Sequence, residues 1–440
     1  MAAIIASRYA VEYPNITKEL CGQTVSWLQQ QRTEAVAKFA EQGFPTLHDE
    51  DWRYTNVSAI EKKLFTSALK IPTSQIDRNW LKSYQLKDAW SVVLIDGYFS
   101  SELSELAGLP EKVFVKSMAN ALETHPELLE NYVNKAVNDN EHGFIAFNTA
   151  WFTDGLFVHV GAKQCLAKPI QVIHIVTQQD VLIATRTVIV LEQMAEAKII
   201  ETFVGMDDAY LSSTISEVFV GQNADLTLYK TQFESEKAYH FSGSYVKQEQ
   251  DARFTHHNFA FGGLLARSDI HTDLDQASEC ELNGLYLGIK RQHIDSHTRI
   301  NHLKPHGISR ELYKGVLDDR AKGVFQARVI VAEDAQKTDS QMNNRNLLLS
   351  SDAEADSKPQ LEIYADDVKC GHGVTVGQLD DKSIFYLQSR CVDEETARNI
   401  LTFAFANEMV DKIKIKELHD IVLEQVLSRF PQEGVNKEWL

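Results

Sequence analysis

AKIIETFVGMDDAYLSSTISEVFVGQNADLTLYK, Ala197 to Lys230, is the stretch whose reading decides the fold. Apolar residues recur in it with a period of two, at Val218 and Val220 and again at Leu226 and Leu228, and polar turns separate the runs. That is the pattern of short, half-buried strands. It continues outward in both directions, from about Gly143 to Tyr386, through Leu156-Val158-Val160 and Val188-Val190. A triplet of the form small-x-apolar also repeats. Ala197-Lys-Ile199, Ala224-Asp-Leu226, Ala252-Arg-Phe254 and Ser278-Glu-Cys280 stand 27, 28 and 26 residues apart, and Ala321-Lys-Gly323 follows after 43. A β-solenoid accounts for this repeat, because each coil buries its inner face only against its neighbours. A β-sandwich with evenly spaced strands is the alternative. The scarcity of proline and the lack of helical patterns across this region favour the solenoid.

The flanks read differently. Lys18 to Gln42 and Ser117 to Val137 carry apolar residues at helical spacing, with a loop-like segment between them, Phe44 to Val57, in which Trp52 and Tyr54 alternate like a short strand. After Arg390 the helical period returns. Ala397, Ile400, Leu401, Ala404, Phe405 and Met409 form a stripe preceded by Asp393 and Glu394, which suit a helix N-terminus, and a second helix runs from Lys416 to Phe430 before Pro431. The expected organisation is a helical domain over 1–135, a mainly β core over 136–388 and a helical domain over 389–440.

With 440 residues and 44% hydrophobic content, the chain is long enough for a large core. Its start lacks a basic leader followed by an apolar run, and no stretch reaches the length of a membrane span, so a cytoplasmic protein without membrane contact is expected. The net charge of −18 disfavours nucleic acid as a partner. Five scattered cysteines, Cys21, Cys165, Cys280, Cys370 and Cys391, fit a reducing compartment.

One segment places a thiol beside an imidazole. In LEIYADDVKCGHGVTVG, Leu361 to Gly377, Cys370 and His372 are two residues apart, and in an extended chain both point to one face. Two ligands do not close a metal site, so the remainder would come from another chain or a distant segment; a buried cysteine beside an edge histidine is the plain alternative. Phosphate-binding, nucleophile-elbow and zinc-protease motifs are absent, and His293, His297, His302 and His306 are spaced so that they cannot all face one way.

Several stretches together resemble the SufB/SufD family of iron–sulfur cluster assembly proteins, on its SufD side. These are FPTLHDEDWRYTNV (Phe44 to Val57, with Trp52, Arg53, Tyr54 and Thr55 at its centre), FNTAWFTDGLFVHV (Phe147 to Val160) and ISRELYKGVLDDRAKGVFQARVIV (Ile308 to Val331). The likeness continues through Leu347 to Ser350 and DDVKCGHGVTVGQLDDKSIFYLQSR, Asp366 to Arg390. It implies a right-handed parallel β-helix flanked by helical domains, and a scaffold subunit, not an enzyme. It also implies a SufB-like partner meeting the β-helix and a SufC-like ATPase docking on the C-terminal helices, where Arg398, Phe403, Phe405 and Glu408 are the expected contacts. Cys370 and His372 match the thiol and imidazole at the SufB-facing interface, where a nascent iron–sulfur cluster or its iron is held transiently. No cofactor is expected to stay tightly bound to the isolated chain, which is expected to pair with itself as a homodimer. Cys391 stands where the family usually has glycine, so its turn is expected to differ. A purely architectural subunit and a carbohydrate-active solenoid enzyme are the competing functions.

Overall fold

The computed structural model describes residues 2–137 and 142–429. Two ten-stranded sheets run the length of the molecule, and the chain passes alternately from one to the other. In sheet I the parallel stack begins at Asp154–Val160 and Val181–Leu191 and ends at His293–His302, Lys322–Val331 and Glu354–Ile363. In sheet II it begins at Ile170–Val176 and Glu196–Gly205 and ends at Ile308–Leu317, Asp339–Leu348 and Lys369–Gly377. Eight strands of each sheet alternate in this way, so the expected mainly β solenoid, flanked by N- and C-terminal helices, is what forms.

The turns explain the repeat. Met194, Asn223, Asp251, Ala277, His306 and Lys337 all have φ between 57° and 67°, and each stands two residues before a strand of sheet II. A left-handed non-glycine residue costs about 1 kcal/mol. Here each one directs its N–H at the carbonyl of the equivalent turn one coil on, as Asn223 does to Gln250 at 3.1 Å and Ala277 to Pro305 at 3.0 Å. The ladder therefore continues through the corners. Asp225 pairs with Arg253 and Arg253 with Glu279, so Ala224, Ala252 and Ser278 are true equivalents. Asp225 pairs with Glu196, however, which makes Ala195 the equivalent of Ala224 and puts the Ala197 triplet two residues out of register. Ala321 precedes a strand of sheet I and belongs to the other column.

Between the sheets lies the main core, with Leu156, Ile199, Leu226, Leu228, Phe254, Leu282 and Phe325 among its members. Gly284 leaves space for the ring of Tyr313, since a Cβ there would sit 2.1 Å from that ring.

The N-terminal segment covers the outer face of sheet I. Phe39, Phe44, Phe144, Phe147 and Trp151 pack against Leu182, Leu211 and Phe241. Trp52 lies in a short 3-10 turn, Glu50–Trp52, and not in a strand. Its indole is held by the buried guanidinium of Arg267, 3.7 Å from the ring centroid, a contact the local pattern cannot reveal. Residues 1–135 also contribute strands to both sheets: Trp90–Ile95 lies parallel to Ile170–Val176, and Val113–Ser117 lies antiparallel to Asp154–Val160. Gly143–Trp151 is a helix within the region read as strands.

The helices Glu394–Val410 and Lys416–Arg429 pack on the outer face of sheet II, against Tyr229, Phe259, Leu285 and Val316. Asp393 caps the first of them by accepting from the Thr396 N–H. Its buried stripe is Ala397, Phe403, Ala406, Met409 and Val410, turned from the expected one, so that Ala404 is exposed. A further helix, Asp381–Gln388, precedes them. Cys391 keeps a left-handed turn, φ 67°, so the turn is retained despite the side chain.

Candidate functional site

The two ends of the solenoid differ. At the N-terminal end the last strands, Val113–Ser117 and Tyr98–Phe99, are short and run antiparallel to their neighbours. At the C-terminal end, Glu354–Ile363 and Lys369–Gly377 are last in their sheets, with no further strand beyond them among the described residues. Exposed apolar side chains cluster there, including Ile363, Tyr364, Val374 and Val376.

Cys370 and His372 lie on this last strand, Lys369–Gly377. Cys370 is in register with Ser340, and that column continues back through Ser309, Cys280 and Phe254. His372 is in register with Met342, then Glu311, Leu282 and His256. Both columns line the space between the sheets, so both residues are on the inner face, at the coil where that space opens. The residues are about 6.6 Å apart along the strand, a span that one ion can bridge. Cys370 is half-buried against the core, and His372 is exposed. Burial pushes the Cys370 thiol up, an effect opposed by the Ser340 backbone N–H directed at it. Among the described residues no three His, Cys, Asp or Glu side chains converge to hold a metal. This pair would therefore need ligands from another chain.

The four clustered histidines have separate surroundings. His293 meets Thr55 at 3.1 Å and His297 lies near Asp269, both on the outer face; His302 points inward to Ser309; His306 is in a turn.

The expected docking residues are engaged within the chain itself. Phe403 is buried, and the backbone carbonyl of Leu349 is 3.5 Å from Arg398. Phe405 lies under the ammonium of Lys314, 4.4 Å from its ring centroid, and Glu408 is paired with that same lysine. On the helical end Phe385 is 71% exposed, and Tyr386, 55% exposed, has the Arg390 guanidinium 4.6 Å from its ring centroid. The period-two reading carried past them and so hid a helix. Glu311, Ser309 and Ser340 are not singled out by the sequence pattern either; only the register shows that they stand behind the pair.

The model of the SUF system FeS cluster assembly SufBD core domain matches residues 174–405, and that of the SufBD protein N-terminal region matches residues 4–172. The chain belongs to the SufBD family. Among SufBD relatives, the iron–sulfur cluster assembly protein SufD of Escherichia coli is 33% identical over 88% of this chain and 90% of its own length. An iron–sulfur cluster assembly SufBD family protein of Synechocystis is 31% identical over 95% and 97%. The chloroplastic protein ABCI7 of Arabidopsis thaliana is 28% identical over 89% and 84%. No helix of the chain, among the described residues, is long and apolar enough to cross a membrane.

Proposed function

We propose that this SufBD protein is a non-catalytic scaffold subunit on which iron–sulfur clusters are built. Its open solenoid end meets a SufB-like subunit, and a SufC-like ATPase docks on its C-terminal helices. The observation that carries this reading is that a thiol and an imidazole, Cys370 and His372, stand together on the inner face of the last strand, whose outer edge meets no further strand among the described residues. A thiolate suits soft iron–sulfur chemistry and a neutral imidazole suits iron, and two ligands at an edge invite completion by a partner. Free cysteines throughout the described chain fit the cytoplasm.

Only three residues separate the end of this strand from the helix Asp381–Gln388. An ATPase gripping the exposed Phe385 and Tyr386 on that helix would move the strand that bears His372, so nucleotide-driven motion is delivered to the cluster site by the chain itself.

The test is His372→Ala and Cys370→Ala, each co-expressed with the SufB-like and SufC-like partners. The expected outcome is an intact complex with depressed iron and acid-labile sulfide, more so for His372→Ala, because imidazole ligates without first losing a proton. Normal cluster content in both variants would leave the pair structural and favour a purely architectural role. Loss of the complex would place the two residues in interface packing.

A further inference from the structure

The turn Glu50–Trp52 and the residues just after it touch four successive strands of sheet I. The root of this contact is buried. Arg267, on the strand Leu265–Leu274, holds the Trp52 indole and donates to the backbone carbonyl of Asp51 at 2.7 Å. On the next strand of the sheet, His293–His302, the Asp295 carboxylate accepts from Thr55 at 2.6 Å and from Arg267 at 2.9 Å. Trp52, Thr55, Arg267 and Asp295 are each at most 2% exposed, so this end is fixed. From there the turn reaches toward the open end. Gln326, on Lys322–Val331, donates to the Asp51 carboxylate at 3.3 Å, and Arg328 on the same strand lies 3.8 Å from it. Lys358, on the last strand, Glu354–Ile363, donates to the Glu50 carboxylate at 2.7 Å across 308 residues of chain. Lys358, and after it Arg328, holds the Glu50 carboxyl below its ordinary value, so the pair is ionised at neutral pH. The ring of Tyr54 has the Lys322 ammonium 5.9 Å from its centroid, and that lysine pairs with Glu354 and Asp356 of the last strand at 2.8 and 2.7 Å.

The last strand needs such support. It has a neighbouring strand on one edge only among the described residues, and none of its ten residues is buried. A strand of this kind opens at low free energy. Exposed ion pairs are individually weak, because two long side chains lose freedom in meeting. Here Glu50, Asp51 and Tyr54 stand on a turn that the buried root already orders, so less is lost when they meet the strand. We infer that the Glu50–Trp52 turn is a splint that holds Glu354–Ile363 in the shape on which a SufB-like subunit docks. The N-terminal segment thereby prepares an edge that it does not itself form. The inference rests on the reading of the open end as the partner edge, and it adds to that reading the residues that keep the edge ready.

Charge reversal and a charge swap test it. Glu50→Lys and Lys358→Glu, each alone, set like charges against one another, and the double variant restores an opposite pair. All three leave the buried root intact, and near-UV circular dichroism checks that the fold is kept. In the free chain, hydrogen exchange of residues 354–363 is expected to quicken about fivefold in each single variant and to return toward the natural rate in the double variant, with residues 265–274 unchanged. Affinity for the purified SufB-like subunit, read by biolayer interferometry, should fall about twofold in each single variant, because the docking shape is then less populated, and recover in the double variant. Unchanged exchange in the single variants, or a double variant that exchanges no more slowly than they do, would overturn the inference, since Glu50 and Lys358 would not act on the strand through each other. Quickened exchange with undiminished affinity would overturn it as well. The partner reading is checked apart, on the natural chain: if the SufB-like subunit binds without slowing exchange of residues 354–363 while the swap behaves as expected, the splint stands and the open end is not where that partner docks.

Discussion

Lys314 reaches from the outer face of sheet II to the carbonyl oxygen of Phe405, 2.9 Å away, and its ammonium sits over that residue's ring. The lysine is 2% exposed, and Glu408 completes its surroundings. One cation thus fastens the helix Glu394–Val410 to the solenoid through a hydrogen bond, an ion pair and a ring contact.

Lys314→Met is expected to loosen that helix while leaving the solenoid folded. The lost hydrogen bond and ring contact are together worth about 2 kcal/mol. Hydrogen exchange over residues 394–410 should accelerate about thirtyfold in the variant, while exchange in the sheets stays unchanged.

Glu311 supplies a pH dependence with a definite sign. Its carboxyl lies in the lumen, and burial, only partly opposed by Thr298, pushes it from 4.5 to about 7. Below pH 4.5 the group is protonated whether folded or unfolded and has no pH-linked effect. Between 4.5 and 7 the unfolded chain releases the proton first, so stability falls as pH rises, and above 7 the loss is complete at about 3 kcal/mol. Glu311→Gln removes this loss. Its stability relative to the natural chain should improve by about 2 to 3 kcal/mol between pH 5 and pH 8 in urea denaturation; a constant difference would mean that the carboxyl does not titrate in this range.

Phe385→Ala with Tyr386→Ala should abolish co-purification of the ATPase while leaving the fold intact, since both rings are largely exposed and truncation leaves little cavity. Pull-down from co-expressed subunits checks this, and undiminished recovery would move the docking site to another face.

The isolated chain is expected to be a two-fold dimer through its open end, because unpaired strand edges beside exposed Val374 and Val376 favour self-pairing when the partner is missing. Light scattering at tens of micromolar should give twice the chain mass, and Val376→Lys should give the monomer.

The solenoid was legible because each coil repeats its chemistry locally: the turn residues before Ala224, Ala252 and Ser278 recur at nearly the same interval. The register was less so. Small-x-apolar triplets occur in both sheets, and nothing local separates Ala197, two residues beyond its true equivalent, from Ala195. Cys370 and His372 could be paired from the period of a strand, whereas their inward direction depends on neighbours 30 residues away. The helix stripe misled for a similar reason. Phe403 and Phe405 are both apolar, and which of them is buried depends on sheet II residues far along the chain. The alternation of Trp52 and Tyr54 looks like a strand because the residue that holds the indole, Arg267, is far along the chain.

The unlike ends of the solenoid limit how large an assembly can grow. At one end the terminal strands are short and run antiparallel to their neighbours, Val113–Ser117 with five residues and Tyr98–Phe99 with two; at the other they run parallel and have ten and nine, Glu354–Ile363 and Lys369–Gly377. A head-to-tail stack would have to join edges of different length and direction, whereas a two-fold contact sets the long edge against a copy of itself and closes on two molecules.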